Sequence, residues 1–429
     1  MNPPPLRTSR PRCAAAALAV AASVAAAVAF ARGADAAGKS SCEVCHSKVA
    51  VAYGDSVHQN REITCVDCHG GDPTDMEITA MSHGEGFKGR PTRREIPRFC
   101  ARCHADRALM GQYGLSTHQF EDYQTSRHGK AWLAGNDDAA VCTDCHGQHA
   151  ILPPDDPRST TARLQIPKTC GRCHADQALM ARHGLRSDVV AQYEESAHGK
   201  AVLKGGSDAA AVCTSCHGSH TALPPGQADI PQVCAQCHRN VEETVRESPH
   251  HNVPGPIGRS ACEVCHGHHT VQHPTPALLN TACLDCHPTG SSGYQTSQAL
   301  FEVLSRAEKD YAQAKEALQA LHERGVYVTE LETRMEGANT ALLEAARVQH
   351  ALDRQKLEEK TVVVEAIALD VALATKHLGE TLAVRRMSVG LIWAYIGLSI
   401  GFLYWKKRRL TARELGPAEP QLQAGSEEA

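Results

Sequence analysis

Residues 96–149 read IPRFCARCHADRALMGQYGLSTHQFEDYQTSRHGKAWLAGNDDAAVCTDCHGQH, and residues 166–220 read IPKTCGRCHADQALMARHGLRSDVVAQYEESAHGKAVLKGGSDAAAVCTSCHGSH. The second stretch copies the first. Each opens on Ile-Pro-x-x-Cys (Ile96, Ile166) and carries a tyrosine (Tyr123, Tyr193) ahead of Ser-x-His-Gly-Lys-Ala. Each closes on Cys-x-x-Cys-His-Gly-x-His. A repeat of this length is a supersecondary unit that stacks on its neighbours rather than burying a core alone. A shorter third unit opens at Ile230-Pro231-x-x-Cys234, with Ser248-Pro249-His250 where Ser-x-His-Gly stood. Cys42 to His83 is a degenerate relative containing Ser56-Val57-His58.

Working outward, Cys-x-x-Cys-His occurs nine times, and 18 of the 19 cysteines belong to it: Cys42 with Cys45, Cys65 with Cys68, Cys100 with Cys103, Cys142 with Cys145, Cys170 with Cys173, Cys213 with Cys216, Cys234 with Cys237, Cys262 with Cys265 and Cys283 with Cys286. Two thiols at this spacing can add to the two vinyl groups of one haem while the adjoining histidine takes the iron, which is covalent c-type attachment. Zinc ribbons also use Cys-x-x-Cys, but they do not require histidine directly after the second cysteine every time. The expected cofactor is haem c, nine per chain, with His46, His69, His104, His146, His174, His217, His238, His266 and His287 as proximal ligands.

The remaining histidines decide what such haems can do. One recurs in Ser-x-His (His128, His198, His250) and one three residues after a proximal histidine (His149, His220, His269). With His58 and His83 they supply distal ligands for the first eight haems, with His251 or His268 able to replace a neighbour. The ninth, at Cys283, has no periodic partner. His273 and His118 are its leading candidates and His350 a remote one. An iron with two imidazole ligands has no open position and exchanges electrons without binding substrate.

Only 4% of residues are aromatic, so macrocycles must supply apolar bulk and the apoprotein of this region should fold poorly. A net charge of −4 on 429 residues says little about partners and gives no sign of nucleic acid. Arg7, Arg10 and Arg12, an apolar run from Ala14 to Phe30 and Ala34-Asp35-Ala36 predict a secretory signal over 1–36. The haem domain then spans 38–289.

Past Gly290-Ser291-Ser292-Gly293 cysteine disappears and a heptad seam begins: Leu300, Leu304, Ala307, Tyr311, Ala314, Leu318 and Leu321. After Gly325 a second seam runs Leu331, Met335, Ala338, Leu342 and Ala345, then shifts register to Leu357, Val364, Val371 and Leu378. Two helices of about 42 and about 85 Å would form an antiparallel hairpin over 295–385, packed on the haem domain or offering a face to a second copy. Residues 387–405, MSVGLIWAYIGLSIGFLYW, contain no charge and match a membrane span, followed by Lys406-Lys407-Arg408-Arg409. This predicts a cytoplasmic tail over 406–429 and a haem domain in the periplasm of the inner membrane. The fold class is therefore mainly α and irregular: a haem-packed domain, a helical hairpin and one transmembrane helix.

The Ser-x-His-Gly-Lys-Ala and Cys-x-x-Cys-His-Gly-x-His signatures resemble multihaem cytochromes c of the class III and c7-like group, including doubled-CxxCH proteins, over Cys42 to His287. The long helices are also similar to those of the pentahaem nitrite reductase and octahaem hydroxylamine oxidoreductase group, although no Cys-x-x-Cys-Lys motif is present. The resemblance implies an electron conduit in anaerobic respiration between a quinol-oxidising or other membrane redox subunit and periplasmic or outer-membrane redox proteins. The alternative is a reductase of a small nitrogen or sulfur oxyanion at one open haem, most naturally the ninth, so enzymatic activity stays open.

Overall fold

The computed structural model describes residues 40–82, 84, 86–226, 229–253 and 262–414. The expected leader over 1–36, the ligand candidate His83 and the last fifteen residues of the expected tail lie outside the described residues. The described residues form helices, turns and irregular segments with no strand. They divide into two compact units, Met1–Gly226 with His268–Gln272, and Gln227–Gly267 with His273–Ala429. Six Cys-x-x-Cys-His motifs fall in the first unit, and the last three fall with the long helices.

In the first unit the sequence repeat is a structural repeat. Helices α1 (Ile96–His104), α2 (Gln119–Thr125), α3 (Arg127–Leu133) and α4 (Cys142–His146) recur as α5 (Ile166–His174), α6 (Val189–Glu195), α7 (Ala197–Leu203) and α8 (Cys213–His217). Proline opens α1 and α5 at the first turn, where its missing N–H would have no partner anyway. Ser126 ends α2 and starts α3: its hydroxyl donates to the Tyr123 carbonyl (2.6 Å) and accepts from Gly129 N–H (2.9 Å). Ser196 repeats both bonds on Tyr193 and Gly199, at 2.6 and 3.0 Å. These are the capping interactions behind the Ser-x-His-Gly signature.

The helices are too short to stand alone and the apolar core between them is small. Among the described residues its cluster is Trp132, Ala139 and Val141, with Ile96, Phe120, Tyr123 and Ala131 around it. Consecutive repeats are tied instead by backbone bonds that recur in register: Val57 N–H to the Ile151 carbonyl (2.8 Å), Arg127 N–H to Ala222 (3.1 Å) and Ala197 N–H to Val271 (2.8 Å). Each joins the residue before a Ser-x-His histidine to the residue two past a Cys-His-Gly-x-His histidine.

The second unit contains α9 (Ile230–Val245, kinked at His238) and three long helices: α10 (Ser292–His322), α11 (Thr329–Val348) and α12 (Arg354–Glu414). The seams are buried as the heptads predict. Leu300, Ala307, Ala314, Ala338, Ala345, Leu357, Val364 and Val371 are almost fully enclosed, while Tyr311, Leu342 and Leu378 pack at the margins. The second seam, however, belongs to two helices rather than one. The chain turns back over Gln349–Ala351, with Leu352 left-handed (φ 56°). Asp353 then caps α12 through the amides of Gln355 and Lys356. The register shift read between Ala345 and Leu357 is this reversal, and the hairpin becomes a three-helix bundle in which α10 and α12 run parallel with α11 between them in sequence. Leu300, Val303, Leu304, Ala345 and Leu357 form the core at one end; Ala314, Leu318, Leu321, Leu331, Met335, Ala368 and Val371 form it at the other.

Helix α12 continues unbroken through 387–405, where the side chains are exposed. Among the described residues it is the helix long and apolar enough to cross a membrane, compatible with a single-pass protein.

Candidate functional site

Eight of the Cys-x-x-Cys-His motifs lie on a helical turn that carries both thiols and leads into the histidine, as in Cys65–His69, Cys142–His146, Cys213–His217 and Cys262–His266, whereas in the ninth the turn Ala282–Asp285 ends before Cys286. What these histidines face is the central observation. His104 faces His58 with ring centres 6.0 Å apart, His69 faces His149 at 6.4 Å, His174 faces His128 at 6.1 Å and His146 faces His220 at 6.0 Å. His217 faces His269 at 6.0 Å, His287 faces His250 at 6.0 Å and His266 faces His350 at 6.1 Å. Every pair joins one motif histidine to one outside the motifs.

The spacing tests the fit to haem. A metal–imidazole bond of about 2.0–2.1 Å on each side puts two opposed nitrogens about 4 Å apart and ring centres about 6 Å apart. Ring planes opposed across an iron can rotate about the shared axis, so the distance is fixed and the angle is not. The seven pairs show this behaviour, with interplanar angles from 8° to 74° at nearly one distance. The ordinary neighbour contact His268–His269 is different, at 5.1 Å. Zinc fits less well: among the described residues no three His, Cys, Asp or Glu side chains converge on one point.

The chemistry of the donors agrees. Burial pushes the pKa of His58, His104, His128, His146, His149, His174, His220, His250, His266, His269 and His350 below the usual value, with neighbouring imidazoles adding to this for most of them. The neutral ring is the form that binds metal. The Nδ1–H groups of His69, His217 and His350 donate to the carbonyls of Gly89 (3.0 Å), Leu223 (3.1 Å) and Arg347 (3.0 Å), which leaves Nε2 as the nitrogen that could ligate a metal.

The motifs are also neighbours of one another. The thiols of Cys100 and Cys142, of Cys170 and Cys213, and of Cys234 and Cys262 are in hydrogen-bonding contact. Cys65 lies in the field of Cys42, Cys68 in that of Cys103, Cys145 in that of Cys170 and Cys265 in that of Cys283. Within each unit, successive motifs along the chain are therefore successive in space.

These contacts are made mainly by the first cysteine of each motif. Both thiols of a motif are expected to attach haem; the first thiol of each motif is half-buried, as are Cys68 and Cys173 among the second. Cys45, Cys103, Cys145, Cys216, Cys237, Cys265 and Cys286 are exposed, and Cys173 lies in the field of the Arg93 guanidinium. The reason is the helical turn itself. Residues three apart share one face, so each second thiol points the way its half-buried partner does, but one turn farther along. Attachment through Cys45, Cys173, Cys216, Cys237 and Cys286 is thus assigned on motif spacing, not on protein packing around the sulfur.

Of the distal candidates, His58, His128, His149, His220, His250 and His269 face motif histidines. His198 occupies the same place in α7 that His128 occupies in α3. The expectation for the ninth motif is corrected: the ring opposite His287 is His250, and neither His118 nor His273 faces a motif histidine among the described residues. His118 is 61% exposed beside Glu121 at the start of α2, and His273 lies near Glu308 on α10. His183 is engaged by Asp138 at 2.9 Å. The residue underestimated from sequence is His350, which stands opposite the eighth motif rather than the ninth.

The glycine of Ser-x-His-Gly is a steric requirement. A Cβ at Gly129 would overlap the Tyr123 carbonyl oxygen that Ser126 also uses, and Gly199 meets Tyr193 in the same way. Gly129→Ala is expected to cost about 1–3 kcal/mol or more. The change should also displace His128, giving a lower melting temperature together with high-spin haem in the absorption spectrum. An unchanged spectrum and melt would show that the turn tolerates a side chain.

The cytochrome c3 family model matches residues 57–175, and the doubled CXXCH motif model matches residues 201–243. Neither the curated proteins nor the solved structures gave a match.

Proposed function

We propose, for a chain that is a multihaem c-type cytochrome and so an electron-transfer protein, that it carries nine covalently attached haems and conducts electrons in anaerobic respiration. The partners would be a membrane redox subunit linked to the quinol pool and periplasmic or outer-membrane redox proteins. Haem c supplies one-electron exchange at its iron. The chain's own residues attach it through the eighteen motif cysteines, hold the iron from one side with the nine motif histidines and close the other side with a second imidazole. The closing ligands are His58, His128, His149, His220, His250 and His269, with His83 and His198 assigned on the sequence pattern alone.

The observation that carries this reading is the interleaving of ring pairs between repeats. His58 and His128 reach forward to the first motif of the next unit, while His149 and His220 reach back to the second motif of the unit before. Units tied in this way bring their haems close together, as a conduit requires. The approach of His250 to His287 argues against an open iron at the ninth motif, where an oxyanion reductase would most naturally work.

The bundle adds a condition on the partner. Residues 354–386 of α12 run about 50 Å at 1.5 Å per residue before the uncharged segment begins. The elbow beside His350 is thus held well away from the bilayer, with the haem domain proposed to be on the periplasmic side. A quinol-linked partner that serves the haems of this unit must present its own redox centre at that height.

Low-temperature EPR of the oxidised protein, quantified against haem iron, tests the reading, with carbon monoxide added to the reduced protein. The expected result is nine low-spin haems and no carbon monoxide complex. A high-spin haem that binds carbon monoxide in the native protein would overturn the closed conduit and favour the reductase.

A further inference from the structure

The interleaving has an end effect. In the first unit each closing Cys-His-Gly-x-His supplies the ring opposite the second motif of the preceding repeat: His149 for His69, His220 for His146, His269 for His217. His266 is the second motif of the last repeat, and no Cys-His-Gly-x-His follows it, since His287 is followed by Pro288-Thr289-Gly290. The repeat alone would leave this iron with one protein ligand.

We propose that His350 is the sixth ligand of the iron carried at Cys262 and Cys265, and that the helical bundle thereby stands in for a fourth repeat at the end of the haem array. This deepens the conduit reading and rests on its interpretation of the ring pairs. The rings of His266 and His350 stand 6.1 Å apart at 31°, within the spacing of the other six pairs. The Arg347 carbonyl, at 3.0 Å from Nδ1, fixes the tautomer that leaves Nε2 available.

The backbone around His350 is built to hold it. His350 sits in the turn Gln349–Ala351, which closes on the left-handed Leu352 (φ 56°). Such a conformation is unfavourable for a branched apolar residue and persists only where the surroundings impose it. Among the described residues the other non-glycine position of this kind is Glu62, which closes the turn Gln59–Arg61 directly after His58, another ring-paired histidine. The elbow is fastened on both sides of His350 to α9. Arg347 Nη1 donates to Thr244 Oγ1 (3.4 Å), and Lys356 pairs with Glu247 (2.7 Å). The first turn of α10 packs against the next motif as well: a Cβ on Gly293 would overlap the ring of His287. The bundle therefore backs the last two motifs, one through a distal ring and one through a proximal ring. A surface histidine that merely caps its own turn would need neither the strained Leu352 nor the 6.1 Å register with His266.

The test uses the full-length, haem-loaded protein with His350 replaced by glycine or by methionine. In His350→Gly one haem per protein should become high-spin and bind carbon monoxide when reduced, with total haem unchanged, and added imidazole should restore the low-spin signal. In His350→Met one haem should stay six-coordinate and titrate at a higher potential than in the native protein, because thioether ligation favours the reduced iron. A fully loaded glycine variant with no additional high-spin haem and no additional carbon monoxide uptake would overturn the assignment. If the glycine variant cannot be isolated with its full haem content, the methionine variant decides, and an unchanged redox titration overturns it. The readout is the increment over native protein. A high-spin haem already present in the native protein would count against the conduit reading without deciding the role of His350.

Discussion

Protein made where haem cannot be attached is expected to lose the structure of residues 40–289 and keep that of residues 292–385. The helices that carry the motifs are mostly five to nine residues long, well below the roughly 12–15 residues at which an isolated helix becomes even marginally stable in water. Among the described residues their tertiary support is a small cluster around Trp132 and a scatter of single buried residues such as Met110, Met180, Val202 and Val212. The ring pairs are held apart by the width of an iron and its two bonds, so that without the metal their apolar surroundings have no partner. The bundle is different: α10 and α11 are 31 and 20 residues long with continuous buried seams. Circular dichroism of the apoprotein should therefore retain the signal of the long helices alone, and limited proteolysis should remove 40–289 while sparing 292–385. Protection of 40–289 in the apoprotein would show that the polypeptide has a core that does not depend on haem.

This contrast explains what was readable in the chain. Haem c was legible, and the residues proposed to attach it with it, because the motif is five residues long and needs no folding to be recognised. That holds even for exposed thiols such as Cys45 and Cys286, which nothing in the packing would single out. The seams were legible because a heptad repeat is a local pattern, and Leu300, Ala307, Ala338 and Val364 are buried where it places them. The ring pairing was legible only as far as the repeat continues. His58, His128, His149, His220 and His269 recur in signatures whose capping serines and glycines have clear local causes. The partner of the ninth motif was misjudged because a ring pair is a long-range contact, and only the order of the pairing assigns it. His58 and His128 each reach forward by one unit, so by the same rule His250 in Ser248-Pro249-His250 belongs opposite His287, and the motif left without a repeat partner is that of His266. Nothing in the helical sequence marks His350 as the ring opposite it. Its surroundings, Arg347-Val348-Gln349, read as ordinary helix, and the left-handed Leu352 that ends the helix has no compositional signal. One cue was available in Asp353, an N-capping residue placed between two seams of different register.

Leu357→Asp is expected to cost at least about 4 kcal/mol, because it places a carboxylate in an apolar cluster with no partner. Leu357 is fully enclosed among Leu300, Val303, Leu304 and Ala345, at the end of the bundle where the chain reverses. A loss of that size is a large share of a total stability of about 5–15 kcal/mol. The damage should be local in a way that spectroscopy can read. Leu352 packs against the same cluster two residues past His350, so loosening this end releases the elbow, and high-spin haem should appear at one site per protein while the haems of the first unit keep their signals. Leu373→Asp makes the same chemical change on the same helix, but Leu373 is 59% exposed on the opposite side of α12, so it should alter stability by no more than about 0.5 kcal/mol. Thermal melts followed at a helix wavelength and at the haem absorption band compare the two. A Leu357→Asp protein whose helix melting drops while its haem spectrum stays native would show that bundle packing and haem ligation are independent. A Leu373→Asp protein as damaged as Leu357→Asp would mean that the outer face of α12 is itself covered in the folded protein. The expected pattern, loss on one face and tolerance on the other with the spin state following the loss, would mean that the bundle controls the coordination of the last repeat, and with it the terminal step of the electron path.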